Sequence, residues 1–345
     1  MKVCIVTLYG QFNYGNRLQN YALQTVLQQF GCDVVSVAAV KKEGNIKYLI
    51  KKYFEKNNGR IRLKKRKDIL RERRFSEFTD RNIITELYHT TDGRIPEKVG
   101  SEYDRFIVGS DQVWNPIFWR DDEYSPEMYN YFLMFTTRKK ASYAASFGLD
   151  SIPSNWEERF EKNILGIDLI SVREMSGKNI VSKLGLDSEL VLDPTLLLDA
   201  KQWKQIKSDF VPKDKKYDLL YFLGDKPPSL PMDPNIEVID LMNSKCRYFT
   251  CGPETFLELI DNARTVYTDS FHATVFSLVF HTPFIIYGRT IRGGTGMNSR
   301  ILSLLDAFGI DTRDFSEGVK VSSFDDDKII IQKQKSFEFI RKILD

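Results

Sequence analysis

The chain is poor in the residues that build metal and redox centres: of its 345 residues, three are histidine and four are cysteine. Cys4, Cys32, Cys246 and Cys251 form no CxxC pair and sit mostly in apolar surroundings, which fits reduced structural thiols rather than a disulfide frame. With so few imidazoles no zinc site is expected, and no bound cofactor. No stretch approaches about 18 uninterrupted apolar residues, and the run from Met1 to Leu8 passes straight into a polar loop. Neither a spanning helix nor a signal peptide is therefore expected, and a cytoplasmic location follows. A net charge of +3 is too small to make nucleic acid the general partner. The spacing after the first apolar run is not GxGxxG, so the dinucleotide fingerprint is missing too.

What remains is ordinary globular composition, 42% apolar and 28% charged. The length exceeds the usual single core, which predicts two domains of roughly 150 to 200 residues. Val3 to Leu8 reads as a strand, Tyr9 to Gly15 as a loop, and Leu18, Leu23, Ala22, Val26, Leu27 and Phe30 as the buried stripe of a helix that ends before Gly31. That helix opens on polar residues, among them Asn16 and Arg17, which can face a cleft or serve as turn and cap residues. Val34 to Ala38 is a second strand.

Between Lys41 and Arg81 the chain is dense in lysine and arginine, with Tyr48, Leu49, Phe54, Ile69, Phe75 and Phe78 interleaved. Amphipathic helices are predicted there, on a solvated surface insertion that can also lie against an anionic membrane face or an acidic polymer. Asp104 to Gly109 returns to strand and breaks into Ser110-Asp111-Gln112-Val113-Trp114-Asn115, a set suited to sugar or anion contacts. Ala141 to Gly148 is a strand containing Ser146, and Leu169 to Glu174 is a strand ending in Arg173. The fork of Arg173 suits a carboxylate or phosphate, and equally an ion pair with Glu174.

A boundary near residue 200 divides a first domain, 1–200, from a second, 201–325, with a terminal helix over 326–345 able to cross back. In the second, Thr268-Asp269-Ser270-Phe271-His272 is a buried strand, a polar break and a helix start. In a parallel sheet that places the imidazole at the ligand-binding edge, though such a histidine can also be satisfied locally. Beyond it, Arg289, Arg292 and Gly294 lie on a glycine-rich basic loop that can present cations and amides to an anion, or be a plain surface loop.

Taken together, Asn13-Tyr14-Gly15-Asn16-Arg17-Leu18-Gln19-Asn20, Ser110-Asp111-Gln112-Val113-Trp114-Asn115, Ser171-Val172-Arg173-Glu174, Asp193-Pro194-Thr195, Gly252-Pro253-Glu254 and Thr268 to His272 resemble the polysaccharide pyruvyl transferase family over nearly the whole chain. The resemblance implies an α/β fold of two Rossmann-like domains in a glycosyltransferase-B-like arrangement around a cleft, with the first domain on the acceptor side. It also implies phosphoenolpyruvate as donor and a saccharide acceptor, free or lipid-linked, two of whose hydroxyls become a cyclic ketal. By this analogy Arg173 holds the donor's acid groups and His272 is the histidine at the reaction centre. The chemistry of such an addition then suggests that His272, as imidazolium, supplies or relays a proton while Asp111 orients or deprotonates the hydroxyl. The family's Arg-Leu-His is Ser270-Phe271-His272 here, so Arg289 or Arg292 is expected to supply the missing cation. A sugar-nucleotide-dependent glycosyltransferase is the alternative, with Glu254 as its carboxylate; a non-catalytic glycan-binding protein is another.

Overall fold

The computed structural model describes residues 1–10, 13–42, 54–57, 60–63, 66–119, 125–211, 216–289, 298–310, 315 and 317–345, with backbone alone over 54–57 and 60–63. The first half is built on strands β1 (Lys2–Val6), β2 (Asp33–Lys41), β5 (Thr85–Thr90), β6 (Arg105–Val108) and β7 (Lys140–Ser142). They form one parallel sheet in the order β5-β2-β1-β6-β7, with β1 flanked in register by both neighbours, Val3 opposite Val34 and Arg105. Its helices are α1 (Tyr14–Gln29), α2 (Arg66–Asn82), α3 (Pro126–Tyr131), α4 (Ser154–Ile164), α5 (Met175–Lys183) and α6 (Ala200–Ile206). Short strands β8 (Ser171–Val172) and β9 (Glu189–Leu190) pair beside β7.

The second half repeats the theme with β10 (Tyr217–Tyr221), β11 (Glu237–Asp240), β12 (Thr265–Thr268), β13 (Phe284–Ile286) and the antiparallel edge strand β14 (Val319–Val321), in the order β11-β10-β12-β13-β14. Helices α7 (Pro253–Asn262), α8 (Phe271–Val279) and α9 (Asn298–Ala307) belong to it, and α10 (Asp327–Leu344) ends the chain. Both sheets have doubly wound orders, so the protein is α/β with two Rossmann-like halves.

The halves share a core. Tyr14, in the first turn of α1, stacks on Phe256 of α7 with centroids 4.3 Å apart and donates its hydroxyl to the Cys251 carbonyl. Trp203 of α6 meets Phe276 of α8 edge to face at 4.9 Å. Helix α10 packs back on the first half, where Phe339 faces Tyr143, the Leu192 amide donates to Ser336 and Arg105 donates to the carbonyls of Ile343 and Asp345.

In the basic stretch the structure departs from an all-helical expectation. Phe54–Asn57 (β3) and Arg60–Leu63 (β4) pair antiparallel as a hairpin before α2. Arginine and apolar residues alternate through Arg60-Ile61-Arg62-Leu63, a period of two that suits a strand. The apolar side of α2 is spent inward, with Phe75 and Phe78 fully buried and Phe75 against Tyr14. No helix among the described residues is long and apolar enough to cross a membrane.

Candidate functional site

Both sheets end their central strands at the seam between the halves, and there the chain concentrates buried charge. Strand β6 stops at Val108, and Asp111 follows with its backbone in the left-handed region, φ 68°. Strand β8 delivers Arg173, the 190–193 segment delivers Asp193, and β12 with the start of α8 delivers His272. Ser270 caps α8, its hydroxyl accepting from the Ala273 amide.

Arg173 is the hub of this cluster. Its side chain is 0% exposed, and its two terminal nitrogens donate to Asp193 at 2.7 Å and Asp111 at 3.1 Å. Its Nε lies 3.7 Å from Glu174, and the guanidinium stacks on the Phe271 ring at 4.5 Å. Asp193 accepts in addition from Ser110 Oγ at 3.0 Å and from the Thr195 amide and hydroxyl. His272 Nε2 sits 3.8 Å from Asp193, too far for a hydrogen bond, and has no hydrogen-bond partner among the described residues. The other face of its ring rests on the start of α1: a Cβ placed on Gly15 would come 1.8 Å from Nδ1. Glycine there is what lets the imidazole lie against the helix backbone.

Electrostatics follow from this packing. Burial by itself raises the carboxyls of Asp111 and Asp193, but Arg173 and His272 beside both, Arg300 near Asp111, and Thr195 hydrogen-bonding Asp193 hold them below the ordinary carboxylate value. Burial lowers His272 beneath 6.5, and Arg173 and Arg300 push the same way against Asp193 and Asp111. Lowered in this way, the imidazole favours the neutral form at pH 7, where the chemistry argued from the sequence has an imidazolium. Burial would lower Arg173, but its three carboxylate neighbours win and keep it charged.

These groups wall a cavity of about 180 Å³ lined by Asn13, Asp111, Gln112, Ser270, Phe271, His272, Arg289 and Arg300, with Leu8, Phe118 and Leu223 as further lining residues. Of the residues singled out in the sequence, Asp111, Gln112, Ser270, His272 and Arg289 meet on this wall. Arg173 stands behind it, so its fork holds carboxylates of the protein itself. Arg289 is tied to Asp269, Nε to Oδ2 at 3.2 Å and Nη2 to the carbonyl at 3.0 Å.

The rest of the singled-out residues stand apart from the wall. Ser110 is fully buried between Asp193 and Gln19. Asn115 caps a 3-10 turn and donates to Gln112. Ser146 donates to Glu174, whose same oxygen takes the Phe147 and Gly148 amides, so both are structural. Asn16 and Arg17 are buried on α1, bonded to each other, with Arg17 over the Tyr9 ring. Glu254 lies elsewhere, bonded to Arg81 at 2.7 Å in a separate groove of about 690 Å³ between α2 and α7. Arg292 and Gly294 lie outside the described residues.

Asp193, Gly15 and Arg300 are the site residues that the sequence did not single out for a role. Asp193 carried a signal, an acid and proline directly after the apolar run Leu190 to Leu192. Arg300 carried none, because a helical stripe does not say which face meets another half of the molecule. Among the described residues no group of acids, histidines and cysteines is placed to hold a metal ion.

Two Rossmann-like halves with an ionic pocket in the seam between them define the class. A family model described as polysaccharide pyruvyl transferase matches residues 13–290, and the chain belongs to that family. It is a transferase. None of the curated proteins compared with the chain matches it. Among solved structures it is similar to a protein described as a UDP-N-acetylglucosamine 2-epimerase from Listeria monocytogenes, at 10% identity and a TM-score of 0.45, over 100% of this chain and 97% of that one. It is also similar to the UDP-GlcNAc 2-epimerase of Methanocaldococcus jannaschii, at 12% identity and a TM-score of 0.41, over 98% of this chain and 100% of that one.

Proposed function

We propose that this transferase moves the pyruvyl group of phosphoenolpyruvate onto two hydroxyls of one sugar, in a cell-surface polysaccharide or its precursor, forming a cyclic ketal and releasing phosphate. The observation that carries the reading is one cavity whose wall brings together the imidazole of His272, the carboxylate of Asp111 and the guanidinium groups of Arg289 and Arg300. An enol phosphate needs those three things. Its acid groups need cations, its methylene carbon needs a proton, and the attacking hydroxyl needs a group to orient it.

In this reading the first hydroxyl oxygen bonds to the central carbon of the donor while neutral His272 takes the hydroxyl proton and passes it to the methylene carbon, which becomes methyl. Asp193, 3.8 Å behind the ring, stabilises the imidazolium formed in between. Asp111 stays ionised and orients the hydroxyl. The second hydroxyl then bonds to the same carbon, the carbon–oxygen bond to phosphate breaks, and phosphate leaves with the second proton. Phe118, which is 55% exposed and lines the cavity, offers an apolar face to the sugar ring. The glycosyltransferase alternative is disfavoured by Glu254, which is engaged with Arg81 away from this wall.

Phosphate release is the test, measured with phosphoenolpyruvate and a panel of free and lipid-linked saccharides. Wild type should release phosphate with at least one acceptor, and His272→Gln should turn over about 10²- to 10⁴-fold more slowly with its fold intact. Undiminished turnover in that variant, or no phosphate release with any acceptor, ends the proposal.

A further inference from the structure

Arg300 is the one arginine on the cavity wall that the described residues leave without a partner. It is 5% exposed, its Nε has no hydrogen bond, and no carboxylate among the described residues pairs with it. Its ring neighbour is Phe271, 6.0 Å from the guanidinium carbon. The other cations differ. Arg173 is divided between Asp111 and Asp193, and Arg289 is held by Asp269.

The helix that carries Arg300 is fixed on either side of it. Ser299 is hydrogen-bonded to Ser176, and Ser303 accepts from the Met175 amide, each at 3.1 Å, so α9 is stitched across the seam to α5. The guanidinium therefore arrives at the wall on a rigid support. Burial, aggravated by Arg173 nearby, pulls Arg300 down to about 10, which still leaves it charged at neutral pH. Glu174 and Asp111 offset that charge from a distance without pairing with it, and a buried charge left without a direct partner beside an open cavity is completed by an anion from outside.

Building on the donor assigned above, we propose that Arg300 is the donor-recognition residue of this transferase: its guanidinium binds an acid group of phosphoenolpyruvate in the seam cavity. It takes the place that sequence alone gave to Arg289 or Arg292, and compensates for Ser270 standing where the family pattern has arginine. The role is binding, and the proton transfers stay with His272.

Calorimetric titration of phosphoenolpyruvate into wild type, Arg300→Met and Arg300→Lys tests this, alongside thermal melting of each protein without ligand. Arg300→Met should raise the donor dissociation constant roughly 10- to 100-fold, the range for losing a charge-assisted hydrogen bond. Arg300→Lys should recover part of the loss, because it keeps the charge and loses the fork. The Met variant should melt close to wild type, since it removes a desolvated charge whose nearest carboxylates, Asp111 and Glu174, still face Arg173. Unchanged donor affinity in Arg300→Met overturns the assignment, as does a melting temperature well below wild type, which a structural arginine would produce. Should wild type itself fail to bind phosphoenolpyruvate, the donor reading falls, and the same titrations with inorganic phosphate then decide Arg300 separately: binding to wild type but not to Arg300→Met upholds an anion site, and equal binding refutes it.

Discussion

Replacing Arg173 with methionine separates a clamp from a ligand. In the structure its guanidinium is fully buried and compensates two carboxylates, Asp193 at 2.7 Å and Asp111 at 3.1 Å. Asp193 has 0% side-chain exposure and Asp111 9%, so water cannot take over when the cation goes. Breaking a buried ion pair by removing one member costs about 3–5 kcal/mol, because the charge left behind stays uncompensated. Set against a total stability of about 5–15 kcal/mol, that is a large share. Urea denaturation followed by circular dichroism should show the loss directly. Adding Asp193→Asn to Arg173→Met should then cost less than the sum of the two single changes, since one stranded charge is gone. If instead Arg173→Met unfolds within about 1 kcal/mol of wild type and loses only donor affinity, Arg173 contacts the donor and the clamp argument is wrong.

Gly15→Ala should reduce turnover about 100-fold, because the added methyl would lie 1.8 Å from His272 Nδ1 and must displace the ring or the helix; wild-type rates of phosphate release in this variant would refute the packing argument. The pH dependence of stability carries a sign that can be worked out. Burial holds His272 below 6.5 in the folded chain, so between that depressed value and 6.5 the unfolded chain binds more protons and stability falls as pH drops. Asp111 and Asp193 are shifted below 3.8 and contribute their loss only in more acid solution. Denaturation at pH 7.5 and pH 5.5 should therefore show a decline in wild type that is smaller in His272→Gln, and equal slopes would contradict a neutral buried imidazole.

The fold was legible because its signals are local. Apolar runs such as Val3 to Leu8 and Phe284 to Tyr287, helical stripes such as Leu18-Ala22-Val26, and glycines at the ends of helices are all readable within one window. The β3–β4 hairpin was missed because apolar residues scattered through a basic stretch suggest amphipathic helices, although Arg60 to Leu63 alternates. The candidate site was legible only in part. His272 and Asp111 sit at strand ends, where position along the chain already implies an edge. Arg173 has the same signature, but sequence does not tell whether a fork at a strand end faces a cavity or the protein's own acids. Arg300 had no local signature, since its environment is made by α5 and the Phe271 turn, each far away along the chain.

One consequence of the α1 start against His272 concerns what the proposed donor would meet on arrival. The imidazole already lies against Gly15 in the first turn of α1, and the stacking of the preceding Tyr14 on Phe256 holds that turn across the seam. A catalyst whose reacting group is parked in place before any ligand comes does not spend ligand affinity on assembling it, so tight capture of a small, highly charged molecule is compatible with a modest number of contacts.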